Sequence, residues 1–366
     1  MAASKVVPFF LIFISFALPL IRAGKPPKPA SPALFIFGDS LFDPGNNNYI
    51  NTTTLDQANF RPYGETYFDY PTGRFSDGRL ISDFIAEHAK LPLIPPYLEP
   101  RNKLLRQLMI NYHGVNFASA GAGALTETFH GSVIDLKTQL KFYKREVARL
   151  SKKIGHANAT NILSTAVNLF SIGTNDYISP FLLNSSVIQS QSHSQYVQMV
   201  IGNLTIVVKE IYRRGGRKFG FLNLGNLGCL PGLRIVKPET QGECLVEASV
   251  LAQLHNNELN KLLPKLEHNL HGFKYFLYDF NQSLARKITQ PSLYGFNEGK
   301  KACCGIGLFN GIYSCGGKRI VKDFVLCENP SKFIFWDSYH FTENVYKQMA
   351  DEMWSRGPNN LKKFFQ

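Results

Sequence analysis

The sequence predicts an α/β fold in which a parallel β-sheet is covered by helices on both faces. Short, almost continuously apolar runs recur along the chain, as expected for strands that are buried on both faces. Longer segments between them place apolar residues at helical spacing, with charged residues in the intervening positions. Strands and helices therefore alternate, which is typical of parallel sheets joined by helical connections.

Four runs rich in β-branched and aromatic residues are the predicted strands. They cover residues 33–37, 167–172, 218–224 and 274–278. A shorter apolar run at Val115 precedes a stretch of small residues that ends at Gly123. Each run is too short for a typical helix and has little polar alternation, so we expect a sheet that is covered on both sides.

Four amphipathic segments are the predicted helices. They cover residues 134–150, 196–212, 244–270 and 342–354, and the last opens with Thr342, a good N-cap residue. The chain has 366 residues, of which 44% are apolar and 18% charged, so it has enough apolar material for a large core. We expect a single domain over residues 33–366.

The first 23 residues differ from the rest and predict a secretory signal peptide. Lys5 gives a basic start, about 16 mostly apolar residues follow, and Ala23 is a small residue suited to cleavage. A membrane anchor is the alternative, but spanning a bilayer takes roughly 20 apolar residues. Residues 24–32 form a Pro-rich spacer, and no later segment is apolar for long enough to span.

Sequons and cysteines also indicate export. Five Asn-X-Ser/Thr sequons are candidate glycosylation sites, at Asn51, Asn158, Asn184, Asn203 and Asn281. All 6 cysteines lie in the C-terminal half, with no C-x-x-C pair to suggest a metal site, and an even number favours disulfides in an exported protein. Six cysteines allow many connectivities. We favour Cys229–Cys244, with Cys303 and Cys304 bonded to Cys315 and Cys327.

The formal net charge of +13 indicates an anionic partner or simply good solubility. Nucleic acid is disfavoured because the chain has no aromatic–basic repeat of the RNA-binding kind and no helix-turn-helix pattern. An acidic polysaccharide or an anionic lipid surface is the better expectation for an exported protein. The segment 291–329 holds four cysteines and many glycines, and we interpret it as a disulfide-tied insertion. Residues 44–70 are rich in Asn, Thr and Gly, and we expect them to loop over the surface.

Ser40 is the candidate nucleophile. It follows the first predicted strand after Gly38-Asp39, and open α/β sheets bind ligands beyond the carboxyl ends of their strands. A glycine permits a tight turn that exposes the hydroxyl group. The alternative is an ordinary N-cap serine for the next helix.

Asp337 and His340 are the candidate partners of this serine. A serine nucleophile needs a base, and the base needs a group that orients it. The three-residue spacing lets one turn present the carboxylate and the imidazole on the same side. Glu127 and His130 have the same spacing without a serine context, so we interpret them as surface residues.

Two further segments carry candidate oxyanion donors. The small residues 118–123 can bring backbone N–H groups close to a ligand, and Asn175 follows the next strand with a side-chain amide. A helix-packing loop and an Asn-Asp turn are the structural alternatives.

Together these segments resemble the SGNH hydrolases, and specifically the plant GDSL-type esterases and lipases, over residues 33–354. Residues 35–47, Phe-Ile-Phe-Gly-Asp-Ser-Leu-Phe-Asp-Pro-Gly-Asn-Asn, carry the resemblance most clearly. It implies a flavodoxin-like three-layer α/β/α sandwich with about five parallel strands. It also implies a triad of Ser40, Asp337 and His340, and oxyanion donors at Ser40, Gly121 and Asn175.

The function implied by the resemblance is hydrolysis of carboxylic ester or lipid substrates by a secreted enzyme of the apoplast or cell wall. An acyltransferase that passes the acyl group to an alcohol is the nearest alternative. A non-catalytic glycan- or lipid-binding protein on the same fold is the other. No metal and no cofactor are implied, because the chain lacks H-E-x-x-H, P-loop and G-x-G-x-x-G motifs.

Overall fold

The structure is a computed structural model that describes residues 32–100, 112–183, 185, 191–237, 241–357 and 359–366. The predicted signal peptide (1–23), the spacer apart from Pro32, and the sequon residue Asn184 lie outside the described residues. The described part clusters into one compact unit.

Five parallel strands form the central sheet, in the order β2-β1-β3-β4-β5. The strands are β1 (Leu34–Gly38), β2 (Gly114–Asn116), β3 (Val167–Ser171), β4 (Lys218–Leu222) and β5 (Lys274–Tyr278). This is the flavodoxin-like strand order. From β1 the chain first adds β2 on one side and then β3, β4 and β5 on the other, and this change of side leaves a crevice at the carboxyl ends of β1 and β3. The predicted α/β fold with about five parallel strands is confirmed.

Helices cover both faces of the sheet. They are α1 (Ile81–His88), α2 (Leu136–Ile154), α3 (His156–Thr165), α4 (Thr174–Leu182), α5 (His193–Arg213), α6 (Val246–Asn269), α7 (Phe280–Thr289) and α8 (Glu343–Ser355). Helix α8 contacts α1 and forms an ion pair with α7, whereas α2, α5 and α6 pack side by side. The sheet with these two groups gives the predicted three-layer sandwich.

The predicted elements match the observed ones to within a few residues at each end. The four predicted helices correspond to α2, α5, α6 and α8, and the four predicted strands to β1, β3, β4 and β5. Helices α1, α3, α4 and α7 were not predicted. Helix α4 changes the interpretation of Asn175, which lies in the first turn of a helix and not in an Asn-Asp turn.

The cysteine-rich segment forms two small sheets beside the main one. Strand β6 (Glu298–Ala302) pairs with β9 (Phe333–Phe335), and β7 (Cys304–Gly305) pairs with β8 (Val325–Leu326). The structure contains the three disulfides Cys229–Cys244, Cys303–Cys327 and Cys304–Cys315. The favoured pairing is therefore confirmed, including the separate partners of the two adjacent cysteines.

The segment 44–70 was expected to loop over the surface, and this prediction is wrong for much of it. Asn46 and Asn47 are buried, and Phe60 and Tyr63 enter a second, smaller core with Trp336. Polar composition did not predict exposure here, because the side chains of Asn46 and Asn47 donate hydrogen bonds to backbone carbonyls inside the protein. Within the described ranges, no helix is long and apolar enough to cross a membrane.

Candidate active site

The site begins at the carboxyl end of β1, where Gly38 allows the chain to approach β3 closely. A Cβ atom at Gly38 would lie 2.3 Å from the carbonyl oxygen of Ser171, and its φ of 154° also favours glycine. The buried amide of Gln139 accepts a hydrogen bond from the N–H of Gly38 at 2.9 Å and donates one to its carbonyl at 2.8 Å. This clamp fixes the turn that presents Ser40.

Ser40, His340 and Asp337 form a continuous hydrogen-bond chain. Ser40 Oγ lies 2.8 Å from His340 Nε2, and His340 Nδ1 lies 2.8 Å from Asp337 Oδ1 and 3.0 Å from Oδ2. Because a carboxylate can only accept, the ring proton lies on Nδ1 and leaves Nε2 free to accept the serine proton. The structure thus brings Ser40 to His340, which lies 300 positions later in the chain, and to Asp337 beside it.

Asp337 is held as a buried carboxylate. Burial raises its pKa, but this effect is outweighed by the imidazole of His340, by the backbone N–H of Tyr339, and by the hydroxyl of Tyr63, so the pKa falls to about 2. Oδ1 accepts the backbone N–H groups of Tyr339 and His340, both at 2.9 Å, and Oδ2 accepts the Tyr63 hydroxyl at 2.7 Å. The group therefore stays ionised and oriented toward His340.

Three donors converge beside Ser40. Within the described part of the chain, the backbone N–H groups of Ser40 and Gly121 have no hydrogen-bond acceptor, although Gly121 is buried. Gly121 has a φ of +78°, and a Cβ atom there would lie 2.7 Å from Asp56 Oδ1. Asn175 donates one amide N–H to the carbonyl of Ala122 at 3.0 Å, which leaves its second N–H for another acceptor. Buried backbone donors are rarely unpaired, so this arrangement suits a bound oxyanion.

A cavity of about 470 Å³ opens over these donors and over Ser40 and His340. Its remaining wall is mostly apolar and includes Ile178, Leu224, Leu227, Leu230, Phe280 and Leu284. A volume of this order holds a ligand of small-molecule size, and apolar walls bind hydrocarbon.

Comparison with known proteins places this chain in a family. The model of GDSL-like lipases/acylhydrolases matches residues 34–353. The chain belongs to this family. It is 52% identical to GDSL esterase/lipase 5 of Arabidopsis thaliana, in an alignment that covers 99% of this chain and 96% of the relative. It is 49% identical to GDSL esterase/lipase 1 of the same plant, over 91% and 90% of the two chains. It is 46% identical to a GDSL lipase of Tanacetum cinerariifolium, over 91% and 88%.

As a GDSL-like lipase/acylhydrolase, the protein is an ester hydrolase. Its site also contains residues to which the sequence analysis gave no role. Asp43 Oδ1 accepts the backbone N–H groups of Gly45 and Asn46, and Oδ2 accepts that of Ala120 at 2.9 Å. The Asn46 amide donates to the carbonyls of Asn116 and Ala118 at 3.0 and 2.8 Å. These bonds connect the nucleophile segment to the segment that carries Gly121. The three consecutive asparagines at residues 46–48, so close to Ser40, were the signal that could have revealed them.

Asp176 has a comparable role in this GDSL-like enzyme. Its carboxylate accepts the backbone N–H groups of Ala124 and Leu125, at 2.8 and 3.1 Å, and the hydroxyl of Thr128 at 2.6 Å. It thereby holds the segment that follows Gly121 against the first turn of α4, next to Asn175. Burial raises its pKa to about 6.

The other candidate residues lie away from the site. Glu127 and His130 are exposed, as expected for surface residues. Asn51 and Asn158 are exposed, whereas Asn203 and Asn281 are half-buried. No group of three or more side chains suited to bind a metal ion occurs within the described ranges.

Proposed function

We propose that the protein hydrolyses carboxylic esters with Ser40 as nucleophile, His340 as general base and Asp337 as the group that orients His340. The observation that carries this proposal is the unbroken hydrogen-bond chain from Ser40 through His340 to Asp337 at the floor of an open cavity. The same geometry performs acyl transfer in serine hydrolases on unrelated folds.

In the acylation step, Ser40 Oγ attacks the carbonyl carbon of the ester and its proton moves to His340 Nε2. The negative charge that develops on the carbonyl oxygen is stabilised by the N–H groups of Ser40 and Gly121 and by the Asn175 amide. The bond to the alcohol then breaks, and His340 returns the proton to the departing alcohol oxygen. An acyl group remains bound to Ser40.

In the deacylation step, water takes the place of the alcohol. His340 accepts a proton from the water, whose oxygen attacks the acyl carbon, and the same donors stabilise the second oxyanion. The bond to Ser40 breaks, the serine regains its proton, and the carboxylic acid leaves. Asp337 stays ionised throughout because its pKa of about 2 lies far below neutral pH.

The apolar lining of the cavity supports an acyl-lipid substrate. Its apolar wall includes leucines from α4, from α7 and from the segment that follows β4, so the aliphatic part of an acyl group bound there would be removed from water. Each buried methylene contributes about 0.8 kcal/mol. Esters with longer acyl chains are therefore the substrate class that this site favours.

We also propose that the mature enzyme is secreted. The predicted signal peptide (1–23) and three disulfides support an exported protein of the apoplast or cell wall. The exposed side chains of Asn51 and Asn158 support glycosylation at these sequons. Exposed Lys137, Lys141 and Arg145 follow one face of α2 and support the predicted contact with an acidic polysaccharide or an anionic lipid surface.

The test of the catalytic proposal is Ser40→Ala, assayed with p-nitrophenyl esters and with a fluorophosphonate probe. We expect kcat to fall on the order of a million-fold, and the probe to label Ser40 in the wild type and nothing in the variant. Ser164→Ala, in α3, is the matched control and should behave as the wild type. Activity of Ser40→Ala within about tenfold of the wild type would remove Ser40 as the nucleophile.

A further inference from the structure

A hydrogen-bond chain continues from Asp337 away from the substrate cavity. The hydroxyl of Tyr63 donates to Asp337 Oδ2 at 2.7 Å and accepts a bond from Arg319 Nη2 at 2.9 Å. All three side chains are at most 1% exposed. Burial raises the pKa of Tyr63 well above its usual value, so the hydroxyl keeps its proton and acts as the donor to Asp337. Neither Tyr63 nor Arg319 lines the cavity.

Arg319 occupies an unusual environment for a cation. Within the described ranges it makes no ion pair, and its Nε and Nη1 atoms have no hydrogen-bond partner. Its guanidinium lies over the rings of Tyr313 and Phe60, 4.1 and 4.9 Å from their centroids. A fully buried charge is unfavourable unless nearby groups compensate for it. The buried anion in line with it is Asp337, with Tyr63 between the two charges.

The other titratable groups around Asp337 do not replace this cation. They are His340, which carries out the chemistry, the buried Tyr346, and the half-buried Tyr339 and Tyr313. On the far side of Arg319 lies the half-buried carboxylate of Asp56, which is an acid and adds no positive charge. Burial raises the pKa of each of these tyrosines, so all of them are neutral. The charge behind the triad is therefore that of Arg319.

The disulfide-tied segment places Arg319 in this position. Arg319 lies between Cys315 and Cys327, which are bonded to Cys304 and Cys303. The backbone N–H groups of Cys303 and Cys304 donate to the carbonyls of Phe335 and Trp336, at 2.9 and 2.8 Å, directly before Asp337. Two covalent bonds thus connect the loop that carries Arg319 to Cys303 and Cys304, and these two cysteines are hydrogen-bonded to the residues that lead to the triad.

We propose that Tyr63 and Arg319 are positioning residues of the triad: Arg319 polarises the Tyr63 hydroxyl, and Tyr63 fixes the second carboxylate oxygen of Asp337. The inference rests on the proposed function. Oδ1 of Asp337 is held by backbone N–H groups, but Oδ2 is held by Tyr63 and by the longer contact to His340. Without Tyr63, the carboxylate can rotate about its Cβ–Cγ bond and the contact that orients His340 weakens.

Steady-state kinetics of Tyr63→Phe, Arg319→Met and Arg319→Lys test this proposal. We expect Tyr63→Phe and Arg319→Met each to lower kcat roughly 10- to 100-fold with little change in KM, because the lost hydrogen bond involves a charged group but does not touch substrate. Arg319→Lys retains the charge and should recover part of the loss. In Arg319→Met the acidic limb of the kcat/KM profile should move to higher pH, because removing a cation makes protonation of the base easier.

Matched controls and a double variant separate positioning from a structural effect. Tyr143→Phe removes another buried tyrosine hydroxyl, and Lys318→Met removes the neighbouring exposed cation; both should keep wild-type kcat and pH profile. Because the two residues act in series, Tyr63→Phe combined with Arg319→Met should lose no more activity than the worse single variant.

Three results would overturn the proposal: kcat of Tyr63→Phe within about twofold of the wild type, an unmoved acidic limb in Arg319→Met, or strictly additive losses in the double variant. Tyr63→Phe deletes a single oxygen and keeps the packing of the ring, so it can be assayed even if Arg319→Met does not fold. The rate of fluorophosphonate labelling provides an activity readout that needs no substrate. If Ser40→Ala loses labelling while Tyr63→Phe keeps the wild-type kcat and labelling rate, the positioning role alone is refuted. If Ser40→Ala remains active, the proposed function is refuted.

Discussion

Replacing Asn175 with alanine removes the one side-chain donor of the proposed oxyanion site. Asn175 lies in the first turn of α4 and is 7% exposed. Its amide has two N–H groups. One of them donates to the carbonyl of Ala122 at 3.0 Å, and the other is available to a ligand. The substitution therefore has two effects of different size, one on folding and one on the transition state.

The magnitudes of these effects follow from the two bonds. Loss of the neutral bond to Ala122 should lower the free energy of unfolding by about 1 kcal/mol and the thermal midpoint by about 2 °C. Loss of an oxyanion donor should raise the activation barrier by roughly 2.7–4 kcal/mol, which lowers kcat about 100- to 1,000-fold. KM should change little, because the ground-state carbonyl carries less charge than the tetrahedral intermediate.

The assay is steady-state ester hydrolysis and thermal denaturation on one preparation of each variant. Asn168→Ala is the matched control, since this buried amide also donates to a backbone carbonyl, that of Lys218 at 3.1 Å, but from the body of β3. It should lose stability and keep kcat. Asn175→Asp keeps the shape and places a carboxylate near the oxyanion, so its kcat should fall further. An unchanged kcat in Asn175→Ala, after correction for the folded fraction, would refute the oxyanion role.

Two further predictions concern stability. Reduction of the three disulfides should lower the thermal midpoint markedly, since each contributes roughly 2–4 kcal/mol; an equal midpoint with and without reductant, or free thiols in the native protein by mass spectrometry, would contradict this. Acidification from pH 7.5 to 5 should raise the midpoint. Burial raises the pKa of Asp39 to about 7 and those of Asp43, Asp77 and Asp176 to about 6. The native state therefore holds protons that the unfolded chain releases above about pH 4, and stability is lost as pH rises through that window. His255, whose pKa burial lowers to about 3, opposes this with a single proton. A midpoint that falls on acidification would contradict the reasoning.

The fold class, most of the central sheet and the candidate site residues could be predicted from the sequence alone. Strands buried on both faces must be continuously apolar, and helices that cover a sheet must be amphipathic, so both leave a local pattern in the sequence. Ser40 could be predicted because it directly follows such a strand. Asp337 and His340 could be predicted because both lie on one short turn, where Trp336 N–H bonds the carbonyl of His340.

The distant residues that support the site could not be predicted in this way and are visible only in the folded protein. Tyr63 lies 274 positions from Asp337, and Arg319 lies 256 positions from Tyr63. No local sequence pattern relates such residues, since a hydrogen bond between them exists only after the sheet, the segment 44–70 and the disulfide-tied loop have packed together. The same reason explains why an Asn-rich segment was taken for a surface loop. A polar side chain is buried where the fold supplies its partner, and that partner can lie anywhere in the chain.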